Sequence, residues 1–485
     1  MTQLTKKVLI ILLLADLAFS FYQHFHKPLD GDMSEIIVPR PDKGYYQVLH
    51  DPFGLGVLLH NQVYANPNRF FAHWTSSTYF LNMPLLLQIF TDPINSVYLS
   101  VAMAKTAIQI LILFLLAVFI SNKKKIYQLG FLIAAALISP LFQTEDFSRY
   151  LGVIDQSVIY TFFYAFPLGL LMLFYLPFYD AIYHAKKLHF NVIQHLLMII
   201  FIFVLTLNGP LVPGVVLIAC PMTLLIMWIS YYNQSGSGTV IGKSLIAIKR
   251  IDGYLLFYFT GISLLSLYSL YIGQNNALNA SASISLLSRY ERLPAGIYYL
   301  ITQKLGYPLM LLAIAFNVFV IRKRYRQSSG TKLLVFFKWF AIFSFLYIVL
   351  LPLGGYRSYR ENILRYDTIM PITLGLMYFY GATSFYLLKH ISGKNKKYYL
   401  SGIIVLSLIF TAADIPKTGD YQCERQALES IAKSPDNIVA LSNNCPVMEW
   451  HPISDYHDSA LNADLFYYWH ITDERKLYYY RPEDQ

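Results

Sequence analysis

Apolar residues run in membrane-length stretches along most of the chain, at about 8–24, 95–121, 127–143, 157–179, 190–207, 211–232, 253–273, 306–321, 333–353, 368–388 and 399–413. Most approach the ~20 residues that an α-helix needs to cross a hydrocarbon core. Backbone inside lipid must satisfy its own hydrogen bonds, so these stretches predict helices. The expected fold class is an all-α polytopic membrane protein with about eleven transmembrane helices.

Polar sequence interrupts this pattern at informative places. A long loop, 25–94, follows the first span, and shorter ones lie at 274–305 and 354–367. From 414 onward the chain turns polar, acidic and rich in Asn, His and Tyr. The expected organisation is a transmembrane domain, 1–413, and a small α/β C-terminal domain, 414–485. Within the latter, 424–433 has helical character, and Ile438 to Leu441 and Leu477 to Tyr480 read as short strands. Within the first loop, Asn66 to Phe90 mixes Pro and Asn with aromatic residues, which suits helices on the membrane surface that Pro84 keeps short.

Composition agrees with a bilayer: 56% of residues are hydrophobic and 14% charged. The formal charge of +10 comes from Lys and Arg spread over short loops, with no basic face or domain, which argues against nucleic acid as a partner. Six basic groups occupy every second loop: Lys6 with Lys7, Lys123 to Lys125, Lys186 with Lys187, Lys243 with Lys249 and Arg250, Arg322 to Lys332, and Lys389 to Lys397. The positive-inside rule assigns these to the cytoplasm. The N-terminus is then cytoplasmic, and the odd span count puts the C-terminus outside. The first span lacks a good small-residue cleavage site and reads as an uncleaved anchor rather than a signal peptide.

Candidate chemistry lies on the outer side. Asp30, Gly31, Asp32 and Glu35 follow the first span closely. A carboxylate at the edge of an apolar bundle, crowded by other acids, has a raised pKa and can serve as a general base, with Asp32 or Asp30 in that role. The loop 354–367 carries Arg357, Arg360 and Arg365 against the general inside bias, with Glu361 able to neutralise some of that charge, and Arg289 and Arg292 form a second outer basic site. Guanidinium forks bind phosphate oxygens, and Tyr356, Tyr359 and Tyr366 suit the headgroup level. Glu145 and Asp146, with Arg149 and Asp155, mark another outer turn whose oxygens would suit a divalent cation. His24 and His26 with Asp30 and Asp32 offer a zinc-type alternative, though no Cys joins them.

Asp16 and Lys105 fall near the middle of the first two spans and are expected to pair, since an isolated charge there costs at least ~2.5–3.5 kcal/mol. Cys423 and Cys445 share the outer C-terminal segment, where the compartment allows a disulfide.

The order of these features resembles the GT-C superfamily of membrane glycosyltransferases, which take sugar from a polyprenyl-phosphate donor. In that superfamily the first span leads into a long outer loop with acidic residues near its start, matched here by Asp30, Asp32 and Glu35, and then into surface helices, matched by 66–90. The resemblance implies a glycosyltransferase acting at the outer face on a lipid-linked sugar. Arg357, Arg360, Arg365, Arg289, Arg292 and Glu35 would then contact substrate, and Glu145 and Asp146 would hold a metal or the acceptor. The alternative is a transporter or flippase for an anionic lipid-linked saccharide, with Asp16 and Lys105 as its gate.

Overall fold

The computed structural model describes residues 3–41, 44–142, 151–184, 186–235, 239–280, 284–302, 305–356, 362–416 and 418–481. Helices dominate, and one stands at each expected span. Among the described residues, seven are long and apolar enough to cross a membrane: Pro93–Ser121, Val158–His184, Leu211–Gln234, Gly253–Gly273, Gly306–Arg324, Ser328–Gly354 and Gly393–Ala413. The chain is a multi-pass integral membrane protein.

The difference between eleven expected spans and these seven has physical causes. Leu129–Leu141 and Val192–Thr206 are apolar but short. The first covers about 20 Å, against a hydrocarbon core of roughly 30 Å. Met370–His390 is a central helix buried along nearly its whole length and rich in Tyr, Thr and Ser. There Gly375 lets the Phe340 ring approach where a Cβ would collide with it. Gln3–Phe25 carries Lys6, Lys7 and Asp16.

Two features modify simple spanning. Thr161–Ala165 forms a π-turn inside Val158–His184, a local widening that often accompanies functional sites. Val240–Arg250 exposes Val240, Ile241 and Leu245 on one side and ends in Lys249 and Arg250, the pattern of a helix lying in the interface.

At one end of the bundle the loop after the first helix and the C-terminal segment interlock. Phe70–Leu87 is a single helix that continues through Pro84 into its last turn. Proline has no N–H to give to the carbonyl four residues back, so the Phe80 carbonyl is left without its helical donor. The indole Nε1 of the fully buried Trp469 supplies one at 2.9 Å, and the Gln88 side chain donates to the Trp469 carbonyl at 2.6 Å. Trp469→Phe is expected to cost about 1–3 kcal/mol through the orphaned carbonyl. In a Pro84→Ala background, which restores the helical N–H, the same change should cost measurably less. Equal losses in thermal unfolding of the two backgrounds would contradict this account.

The C-terminal segment holds the helix Gly419–Lys433, the helix Ala460–Tyr468 and a two-stranded parallel sheet. Its strands, Ile438–Leu441 and Leu477–Tyr480, pair Ile438 with Leu477 through Leu441 with Tyr480, as the apolar runs suggested. Cys423 and Cys445 are joined by a disulfide. A closed loop of this size contributes roughly 3 kcal/mol in the chain-entropy account.

Candidate functional site

The Asp30-Gly31-Asp32 turn sits between the first helix and the short helix Met33–Ile37, and the two aspartates meet different surroundings. Asp30 is buried, and its carboxylate accepts from the Ser157 hydroxyl, the Ile159 N–H at 2.9 Å and the Asp32 N–H at 2.9 Å. It thus caps the start of Val158–His184, where the helix dipole favours an anion. Burial and the neighbouring Asp32 nevertheless raise it to about 7. Asp32 is half-buried and accepts from the Trp450 indole at 2.9 Å. Gly31 makes that contact possible, because a Cβ there would stand 2.7 Å from the Trp450 backbone nitrogen.

Deeper lies a cluster of buried charge. Lys105 donates to the Gln156 carbonyl at 2.9 Å and stands within electrostatic reach of Asp155, Lys27 and Asp30. Asp155 accepts from the Ser157 N–H at 2.8 Å and from the Tyr366 hydroxyl. Burial raises its pKa, and nearby Asp367 adds to that. Asp367 in turn holds the Arg365 fork, with Nε and Nη2 each 3.1 Å from a carboxylate oxygen. Three acids, Asp30, Asp155 and Asp367, are thus balanced among the described residues by Lys27, Lys105 and Arg365. Lys27, Lys105, Asp30, Asp155 and Asp367 are all buried.

This arrangement corrects the expected pairing of Asp16 with Lys105. The Asp16 carboxylate accepts from the Ser139 hydroxyl. Lys105 turns to the acids of the loops that dip into the bundle. Ser139, near the end of Leu129–Leu141, meets Asp16, while Gln156 and Asp155 come to Lys105.

The other candidates are placed as follows. Arg289 donates to the Pro352 carbonyl at 3.3 Å, and Arg292 stacks on Tyr356 with its guanidinium carbon 4.9 Å from the ring centre. Arg365 also donates to the Asn362 carbonyl at 3.1 Å, from a turn rather than a helix. Arg357, Arg360, Glu145 and Asp146 lie outside the described residues. Glu35 is half-buried, close enough to raise Glu449. His24 faces Gln109 at 3.3 Å, whereas His26 packs edge-on against Tyr421, so the two do not form the zinc-type set. No three His, Cys, Asp or Glu among the described residues are arranged to hold a metal ion.

Sequence reasoning passed over several members of the site. Lys27 carried a signal, being a lysine on the side expected to be poor in them. Glu424 and Glu449 come from the C-terminal segment and had none. Glu424 is buried and accepts from the Leu29 N–H, the Met448 N–H and the Tyr98 hydroxyl, each at 2.8 Å, tying three parts of the chain together. Burial pushes it up to about 7, and burial with Glu35 and Asp32 does the same for Glu449.

Glu424 makes stability depend on pH. Its folded value lies above the ordinary 4.5, so the folded protein keeps a proton that the unfolded chain has lost. Stability contributed by that proton is present below about pH 4.5, falls as pH rises, and is gone above about 7. The slope is at most about 1.4 kcal/mol per pH unit for one proton. Asp30 and Glu449 add slopes of the same sign. Glu424→Gln should flatten the fall in unfolding temperature between pH 5 and 7 and lower it overall; an unaltered slope would count against the assignment.

No protein-family model matches the chain, and no curated protein does. Two solved structures are similar to it. One is an Archaeoglobus fulgidus oligosaccharyltransferase in the apo form, 11% identical, with a TM-score of 0.37. The other is the archaeal oligosaccharyltransferase AglB from Archaeoglobus fulgidus in complex with an inhibitory peptide and a dolichol-phosphate, 12% identical, with a TM-score of 0.33. Each alignment covers 87% of this chain and 58% of the other, so this chain spans a little over half the length of those structures.

Proposed function

We propose that the chain is a GT-C-type membrane glycosyltransferase that transfers sugar from a polyprenyl-phosphate donor at the outer face of the membrane. In this reading the eleven apolar helices build a transmembrane domain, 1–413, the N-terminus is cytoplasmic, and 414–485 is an extracytoplasmic domain resting on that bundle. The observation that carries it is the contrast between the two motif acids. Asp30 is buried and engaged by three donors, whereas Asp32 is half-buried beside an exposed Trp450.

Asp32 is then the base and Asp30 the positioning residue. As an acceptor hydroxyl attacks the anomeric carbon, its proton passes to the Asp32 carboxylate. The bond from that carbon to the donor phosphate breaks, and the electron pair leaves with the phosphate. Arg365 keeps guanidinium hydrogens beyond those bound by Asp367 and Asn362, and with Arg357 and Arg360 it is the proposed counter-charge. Arg289 and Arg292 support the neighbouring loop at Pro352 and Tyr356. No step is assigned to a divalent cation.

The test is reconstitution of the full chain in vesicles with a radiolabelled polyprenyl-phosphate sugar and extracted cell-envelope acceptors. Label should leave the lipid fraction only when the protein is present. Label that crosses the bilayer while still attached to lipid would instead favour a flippase.

A further inference from the structure

A cavity lies among the helices Gly306–Arg324, Met370–His390 and Gly393–Ala413. Its volume is about 770 Å³, within the usual range of ligand-sized pockets. It exists because Gly393–Ala413 is held mainly at one end: Phe410 is that helix's buried residue, and the rest stands away from the bundle as a wedge. Leu309, Leu312, Phe316 and Leu406 line its long wall.

The polar group within it is closed on itself. Asn317 donates to Thr383 at 3.0 Å and to Ser384 at 2.9 Å, and accepts from Tyr399 at 2.8 Å, so it offers a ligand little. The mouth differs. Lys323, Arg324 and Asn395 line it, with Lys394, Lys396 and Lys397 exposed on the facing helix start, and no acid is among the lining residues. From Leu309 to Lys323 the helix rises about 21 Å, more than half of a ~30 Å core.

We propose that this wedge is a binding site for one anionic phospholipid, with an acyl chain along the apolar wall and the phosphate at Lys323 and Arg324. An apolar cleft open to the bilayer takes hydrocarbon from it, and a cationic mouth without a carboxylate selects the negative headgroup. Gly402 provides a clean probe, because it lines the cleft and a Cβ added there meets nothing within 4 Å.

The experiment is lipid binding to the full-length protein in detergent, followed by native mass spectrometry and by thermal shift, with phosphatidylglycerol, phosphatidylcholine and glycerol 3-phosphate as probes. Phosphatidylglycerol should bind at least fivefold more tightly than phosphatidylcholine, and glycerol 3-phosphate should produce no shift. Gly402→Trp should abolish the difference by obstructing the cleft, and the double variant Lys323→Gln with Arg324→Gln should reduce it at least fivefold while leaving the cleft intact. If Gly402→Trp fails to fold, the double variant decides. Equal binding of the two lipids, full binding by the double variant, or a matching shift from glycerol 3-phosphate would overturn the proposal. None of these readouts involves sugar transfer, so the site stands or falls apart from the proposed activity.

Discussion

Asp32→Asn is expected to lower sugar transfer by about 10²–10⁴-fold, the usual worth of a positioned general base. Asparagine keeps the size of the side chain and can still accept from the Trp450 indole, so the turn and its contact with the C-terminal segment should persist. What it loses is the capacity to take a proton. Binding of the lipid-linked donor should therefore remain near the parent level. Comparison with Asp30→Asn sharpens the test. Asp30 holds the Ser157 hydroxyl and the N-terminus of Val158–His184, so its loss should reduce unfolding temperature together with activity. A variant Asp32→Asn that transfers sugar at the parent rate would remove this residue from the chemistry, and unchanged movement of intact lipid-linked saccharide would point to transport.

Lys105→Met is expected to destabilise the protein by about 3–5 kcal/mol. The change removes one charge from a buried cluster and leaves Asp155 and Asp30 with less compensation, which is the expensive way to break buried ion pairs. Methionine fills much of the same volume, so a packing defect contributes little. The double variant Lys105→Met with Asp155→Asn removes one charge of each sign and should recover part of the loss. Thermal unfolding in detergent measures both. If the single variant is as stable as the parent, or if the second change adds its full cost to the first, Lys105 does not balance the acids as described. The same cycle with Asp16→Asn should be additive, because Asp16 contacts Ser139 instead.

The two ends of the molecule call for different experiments. At the motif end, the C-terminal segment reaches the first loop through Glu424, Trp450 and Trp469, so stability and activity are coupled there. At the wedge, the Gly393–Ala413 helix stands largely apart, and changes should affect lipid binding with little effect on the motif.

The sequence by itself determined where helices form, because a backbone in lipid has no other way to satisfy its hydrogen bonds over such apolar lengths. It also determined the two strands, whose short apolar runs end at polar turns, and it brought two cysteines into one segment. It drew attention to Asp30 and Asp32 as charges at the edge of apolar sequence. Tertiary structure alone decided their partners. Hydropathy records how far along a span a charge lies, but not how deep the neighbouring segments sit. Lys105 and Asp16 were at similar expected depths, yet one comes within electrostatic reach of Asp155 and the other accepts from Ser139. Likewise, no local pattern joins Asp32 to Trp450, 418 positions away, because that contact follows from how the C-terminal segment folds back over Gly31. Periodicity is a local property of the chain, whereas the partner of a buried charge depends on which distant segments close around it.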